Sequence, residues 1–237
     1  MPCGNRNCPF NESRAKSGLS IAAELECMIP GAVHEVAFKQ GEVVFVQGQT
    51  SSSLYSLAEG MIKICTHAAD GREQIVGLSS PGNRLVGLQS LNGERYRYTG
   101  IAASAVRACK ISQKSLLARI RGRNEIAIRL IIAMNAQLAH SRALMEVIGH
   151  KCATAKIASF ILLMTPRSAV GNGHFALPVS RMEMASLLGL SEETVCRLMA
   201  SMKRAGAIHA PRRKIEIRDW DQLHAIADDS VNGRRVA

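Results

Sequence analysis

The groups best suited to chemistry in this 237-residue chain are its cysteines, seven in number, and the run Glu193-Thr194-Val195-Cys196-Arg197. On a helix, Glu193, Cys196 and Arg197 stand at i, i+3 and i+4 and share one face. A carboxylate on such a face can accept from cytosine N4, and a guanidinium can donate to guanine O6 and N7. Cys196 has two readings. It either contacts a base where a serine would serve, or it is a thiolate favoured by Arg197 and by its place near a helix start. Oxidation to a sulfinic or sulfonic acid would then set negative charge against phosphate. The sequence holds no nucleophile–base pairing, glycine-rich phosphate loop or HExxH-type site, so an enzyme is not expected.

The remaining cysteines are Cys3, Cys8, Cys27, Cys65, Cys109 and Cys152. An odd number at irregular spacing argues against a disulfide framework and leaves packing residues, metal ligands or reactive thiols. Cys65, in a strand pattern, and Cys152, in a helical one, read as packing residues. The histidines show no metal-ligand spacing.

The elements that would carry the Glu193–Arg197 face are legible around it. Ser180 can cap a first helix and Gly189 can end it in the left-handed conformation. Ser191 then caps a second helix whose first turn carries Glu192 and Glu193, which suits the positive end of its dipole. Met184, Leu188, Leu190, Val195 and Leu198 are expected to face inward, with Ala185 small where the helices cross. Two short helices joined at a glycine make a helix-turn-helix. A β-hairpin follows, from Ala207–His209 through Pro211-Arg212-Arg213 to Lys214–Ile217. A basic hairpin in that place is a wing, and Arg212 and Arg213 can reach phosphate.

Upstream the pattern changes. From Val33 to about Lys110, short β-type runs are cut by glycines, as in a sandwich or jelly roll. Asp70-Gly71 between apolar runs predicts a hairpin. Residues 1–18 read as a loop, and a short helix is expected from Ser20 to Met28. A helix is predicted from Asn124 to Gly149. Along it Ile131, Met134, Leu138, Ser141, Met145 and Ile148 form a heptad-like seam with a polar residue at its centre. That seam either pairs two copies of the chain or packs on its own domain; its narrowness and its place between two domains favour the dimer. Cys152–Met164 reads as another helix. The basic run Arg107, Lys110, Lys114, Arg119, Arg121 and Arg123 has no acid in it and reads as a solvated face.

The formal net charge of +11 favours a polyanionic partner, nucleic acid first. Aromatic residues are only 4% of the chain, so its cores must be aliphatic. No stretch approaches the roughly 20 apolar residues of a membrane span, and the first residues lack a signal-peptide core. A cytoplasmic location is expected. The fold class is α+β, in four parts: an N-terminal cysteine-containing segment (1–32), a β-roll (33–119), a dimerisation helix (120–149) and a winged helix-turn-helix (150–237).

The glycine-punctuated roll, the seam helix, GLSEETVCRL and the basic wing resemble the CRP/FNR superfamily of transcription regulators. The similarity runs from about Val33 to Asp229. ETVCR, Glu193 to Arg197, is similar to the family's Glu-x-x-Ser-Arg reading element, with cysteine for serine. The resemblance implies a cyclic-nucleotide-binding-like roll, a homodimer on duplex DNA, and RNA polymerase as a partner. In the FNR and FixK branches it implies a palindrome of TTGAT-type half-sites. Cyclic-nucleotide binders of the family carry Gly-Glu and Arg-Ser where this chain has Gly87-Leu88 and Arg95-Tyr96. A leucine cannot accept a ribose hydroxyl, so no cyclic nucleotide is expected. The FNR branch holds an oxygen-labile 4Fe–4S cluster, and Cys3, Cys8 and Cys109 match three of its ligand positions. The remaining ligand departs from the pattern, because Cys27 falls within the predicted helix. Four thiolates are the norm for such a cluster. Either Cys27 or a non-cysteine ligand completes the set, or the true start lies upstream, or there is no cluster. Without one, the chain would be a FixK-like regulator controlled by abundance or by Cys196 oxidation. A regulatory subunit that does not bind DNA is the remaining alternative.

Overall fold

The computed structural model describes residues 33–67, 73–80, 85–88, 91, 95–121, 124–149, 152–166, 169, 173–177, 179–211 and 214–228. The expected Ser20–Met28 helix, Cys3, Cys8, Cys27, Arg123, Arg212 and Arg213 lie outside these residues. The chain divides into two compact units between Leu138 and Ala139.

The first unit is a roll of eight short strands: β1 (Val33–Phe38), β2 (Val43–Phe45), β3 (Ser53–Glu59), β4 (Ile62–His67), β5 (Glu73–Ser79), β6 (Leu85–Val86), β7 (Thr99–Ala102) and β8 (Val106–Ser112). They form two four-stranded sheets, ordered β1-β8-β3-β6 and β2-β7-β4-β5. All pairings are antiparallel, including that of β4 with β5; the turn expected at Asp70-Gly71 between them lies outside the described residues.

Successive side chains of a strand point to opposite faces, and β3 and β8 use both. Tyr55, Leu57, Val106 and Ala108 face a cluster with Phe45, Ile62 and Tyr96. Leu54, Cys109 and Ile111 face the other way, into a cluster with Leu116, Ile126 and Leu130 from the helices that follow. The sheet that holds β3 and β8 is therefore covered on both sides, which explains why their sequences lack a clean polar alternation.

Two helices continue the chain: α1 (Gln113–Ile120) and α2 (Asn124–Gly149). The sequence reading missed α1, because its eight residues sit in the basic run and bury only Gln113 and Leu116. Ser112 caps it by accepting from the Ser115 amide at 3.3 Å. The basic run is not wholly free of acids in space: Arg107 bridges Glu35 at 3.0 Å and Glu59 at 2.9 Å across neighbouring strands. At 1.5 Å per residue, α2 is about 39 Å long.

The second unit contains α3 (Ala153–Met164), β9 (His174–Ala176), α4 (Arg181–Leu188), α5 (Glu192–Arg204), β10 (Ile208–His209), β11 (Lys214–Ile217) and α6 (Trp220–Asp228). Helix α3 is its centre, with Ala155, Ile157, Ala158, Phe160 and Ile161 buried. Cys152 is corrected here. It is the exposed residue before α3, not a packing residue within the helix. Cys65 is buried on β4, as expected of a packing residue. Strand β9 and helix α6 were also unforeseen. Strand β9 has only three residues, and the sequence signal there was the glycine-rich loop before it.

Candidate nucleic-acid interface

Helix α4 begins at a full capping box. The Ser180 hydroxyl accepts from the Glu183 amide at 3.1 Å, and the Glu183 carboxylate accepts from the Ser180 amide at 2.7 Å. It ends at Gly189, whose φ of 65° and ψ of 40° are left-handed, where a side chain would be strained. The Leu190 amide donates back to the Ala185 carbonyl at 2.9 Å, closing the turn. Ser191 then caps α5 by accepting from the Thr194 amide at 3.2 Å.

Helix α5 has a buried side and an exposed side. Val195, Met199 and Met202 are buried, and with Met184, Ala185 and Leu188 they glue α5 to α4. Met199 and Met202 were not among the expected inward residues, whereas Leu190 and Leu198 are only half-buried. Glu193, Cys196 and Arg197 are all exposed, one turn apart on the opposite side. The row thus offers an acceptor, a thiol and a forked donor to anything that lies along α5. Arg181, the first residue of α4, is half-buried beside this face. Burial lowers its pKa, and the nearby Cys196 opposes that shift.

The hairpin expected as a wing is present as β10 paired with β11. It has a further strand: β11 also pairs with β9, which precedes the helix-turn-helix in the chain. Lys214 is exposed at the start of β11, and its amide donates to the Pro211 carbonyl at 3.1 Å.

Comparison with known proteins agrees with this architecture. Residues 155–226 match the model of the Crp-like helix-turn-helix domain, and residues 35–122 match that of the cyclic nucleotide-binding domain. The chain is 31% identical over 224 residues to the nitrogen fixation regulation protein FixK of Bradyrhizobium diazoefficiens, covering 93% of this chain and 92% of that one. It is 29% identical to the transcriptional activator protein FnrA of Stutzerimonas stutzeri, covering 91% of each. The structure of FixK2 from Bradyrhizobium japonicum superposes with a TM-score of 0.73 at 26% identity, over 86% of this chain and 99% of that one. The chain belongs to the CRP/FNR family of transcription regulators.

In this CRP/FNR regulator, α2 carries a row of exposed apolar residues: Ile128, Ile131, Ile132, Met134, Leu138 and Met145. Of the predicted seam, Ile131, Met134, Leu138, Ser141 and Met145 are exposed, while Ile148 is partly covered. Arg142 is exposed between Leu138 and Met145, at i+4 from the first and i−3 from the second. Ser141, exposed as well, stands at i+3 from Leu138 and i−4 from Met145, so the two residues flank the middle of the stripe.

Two cofactors implied by the family can be compared with the residues present. Of the cysteines proposed for a cluster, only Cys109 is described. Its side chain is 2% exposed among Val33, Leu54, Leu85, Leu88 and Ile111. Among the described residues no group of three His, Cys, Asp or Glu side chains comes together. Cys109 is packed as a small apolar residue is, and the other cysteines of the expected set, Cys3, Cys8 and Cys27, lie outside the described residues. The residues at the cyclic-nucleotide positions do not fit that ligand. Leu88 is buried in the same aliphatic cluster, and the Arg95 guanidinium donates to the Gly48 carbonyl at 2.7 Å. Among the described residues, no helix is long and apolar enough to cross a membrane.

Proposed function

We propose that this regulator binds a two-fold palindrome of TTGAT-type half-sites as a homodimer, reading base edges with Glu193 and Arg197. The observation that carries this is the division of α5 into a buried methionine–valine side and an exposed Glu193–Cys196–Arg197 side. A helix-turn-helix lays such an exposed side in the major groove, N-terminal residues first. Ser191 holds the start of α5 in place and lies near the phosphates. Arg212, Arg213 and Lys214 of the wing supply backbone contacts that position the protein without reading sequence. The exposed α2 stripe pairs with the same stripe of a second copy, which sets the reading helices about one DNA turn, roughly 34 Å, apart. RNA polymerase is the further partner this role implies, and the cytoplasm is where it would act. The test is titration of the palindrome at several salt concentrations. Tight, salt-dependent binding that is lost when both half-sites are scrambled is expected; indifference to duplex DNA at low salt refutes the assignment.

A second element of the reading concerns redox control. Burial of Cys109 among aliphatic side chains favours the cluster-free alternative, with Cys196 as the responsive group. The Cys196 thiolate attacks one oxygen of a peroxide, the O–O bond breaks, and water leaves after protonation, giving a sulfenic acid. A second equivalent of peroxide gives a sulfinate. That anion would face phosphate and weaken binding. Peroxide treatment followed by operator titration tests it: an undiminished affinity of the wild type refutes Cys196 control.

A further inference from the structure

The roll of this regulator has the fold of a nucleotide-binding domain, yet its interior is crowded with its own aromatic rings. The chain has five phenylalanines and three tyrosines, and four of these eight residues meet here. Tyr96 is 6% exposed and stacks on Phe45 with ring centroids 4.6 Å apart. Phe45 stacks in turn on Tyr55 at 6.0 Å, and Phe38 meets Tyr55 edge-on at 6.2 Å. The Tyr96 hydroxyl crosses to strand β3 and donates to the Ser53 carbonyl at 2.8 Å.

The backbone around these rings lies close to them. Gly100 lies so close to Phe45 that a Cβ there would be 2.5 Å from the ring. A Cβ on Gly87 would meet the Ser53 carbonyl at 3.1 Å and touch the Tyr96 ring at 3.5 Å, at a φ of +89° that side chains avoid. Tyr96 itself is stitched to the opposite turn: its amide donates to the Gln49 carbonyl at 2.9 Å, and its carbonyl accepts from the Gly48 amide at 2.8 Å. Among the described residues, a cavity beside Phe45, Val86, Gly87, Tyr96 and Tyr98 measures about 20 Å³. That is room for about one water, whereas small-molecule sites run to about 300 Å³ or more.

We propose that Tyr96 is a built-in ligand of the roll: its phenol ring and hydroxyl occupy the place of a small effector, so the domain is permanently filled and needs none. The site is one for a phenol, and the chain supplies it. This stands independently of how α5 reads DNA.

Chemical rescue tests it on the full-length protein. Tyr96→Ala is expected to lower the melting temperature by about 10 °C, as removal of a buried aromatic ring does. 4-Methylphenol, the side chain as a free molecule, should restore part of that loss. It should do nothing for Ile157→Ala, an unrelated cavity in the other unit. Tyr96→Phe keeps the ring and should lose no more than about a third as much. Cyclic AMP and cyclic GMP at millimolar concentration should leave the wild-type melting temperature unchanged. Equal losses in Tyr96→Phe and Tyr96→Ala would overturn the proposal, because the hydroxyl alone would then be responsible. A response to 4-methylphenol no larger than that of Ile157→Ala, or stabilisation of the wild type by a cyclic nucleotide, would overturn it as well.

Discussion

Replacing Arg197 by alanine isolates base reading from everything else α5 does. Arg197 is exposed and makes no hydrogen bond or ion pair among the described residues. The residues that hold α5 in place, Val195, Met199 and Met202, lie on the other side. Both arginine and alanine favour helix, so stability should change by no more than about 0.5 kcal/mol. DNA affinity should change far more. One bidentate contact to guanine discriminates by roughly 1–3 kcal/mol, and a dimer makes two of them. The loss is then roughly 2–6 kcal/mol, or from about thirtyfold to about twenty-thousandfold at about 1.4 kcal/mol per decade. Fluorescence anisotropy on labelled duplexes measures it, with the palindrome and a variant changed at the guanine compared at fixed salt. The wild type should distinguish the two duplexes and Arg197→Ala should not. The salt dependence should stay the same, since no phosphate contact is removed. Unchanged affinity for the palindrome would refute the reasoning. A uniform loss on both duplexes, with the salt slope reduced by about one, would instead make Arg197 a phosphate contact.

Other expectations follow from the same geometry. Cys196→Ser should bind the palindrome as the wild type does and keep that affinity after peroxide; a serine variant that remains peroxide-sensitive moves the switch elsewhere. Leu138→Glu puts an acid into the α2 stripe and should yield monomers in sedimentation equilibrium. Arg142→Leu removes a like charge that two copies would bring together and should tighten the dimer; no change in either variant would take the stripe out of the interface. Protein purified without oxygen should be colourless and free of iron, and Cys109→Ser should cost roughly 1–3 kcal/mol in urea unfolding by burying a hydroxyl. A brown, iron-bearing preparation that loses its colour in Cys109→Ser would restore the cluster.

Much of this was legible from local chemistry. The capping box at Ser180, the left-handed Gly189 and the cap at Ser191 are short-range signals, and each appears where the sequence put it. The long helix was equally plain, with Asn124 and Gly149 as its ends. What escaped depends on distant partners. Helix α1 has too few apolar residues to show a period. Strand β9 is defined by its pairing with β11, which lies beyond the entire helix-turn-helix. At the roll, the sequence shows only that Tyr96 stands where cyclic-nucleotide binders of the family carry serine. Only the three-dimensional arrangement reveals that the ring fills the space.

The pairing of β9 with β11 also bears on how the reading head is anchored. The Ile217 amide donates to the Gly173 carbonyl at 3.0 Å, so the two ends of the segment that carries α4, α5 and the wing meet at a single point within the unit. Everything between, both helices and the wing turn, is a lariat drawn shut by that neck. Its closure entropy depends only weakly on what the lariat contains. Changes to the bases recognised can therefore accumulate along α5 while the neck keeps the excursion tied to its support. A reader built this way can change its target sequence without renegotiating its attachment.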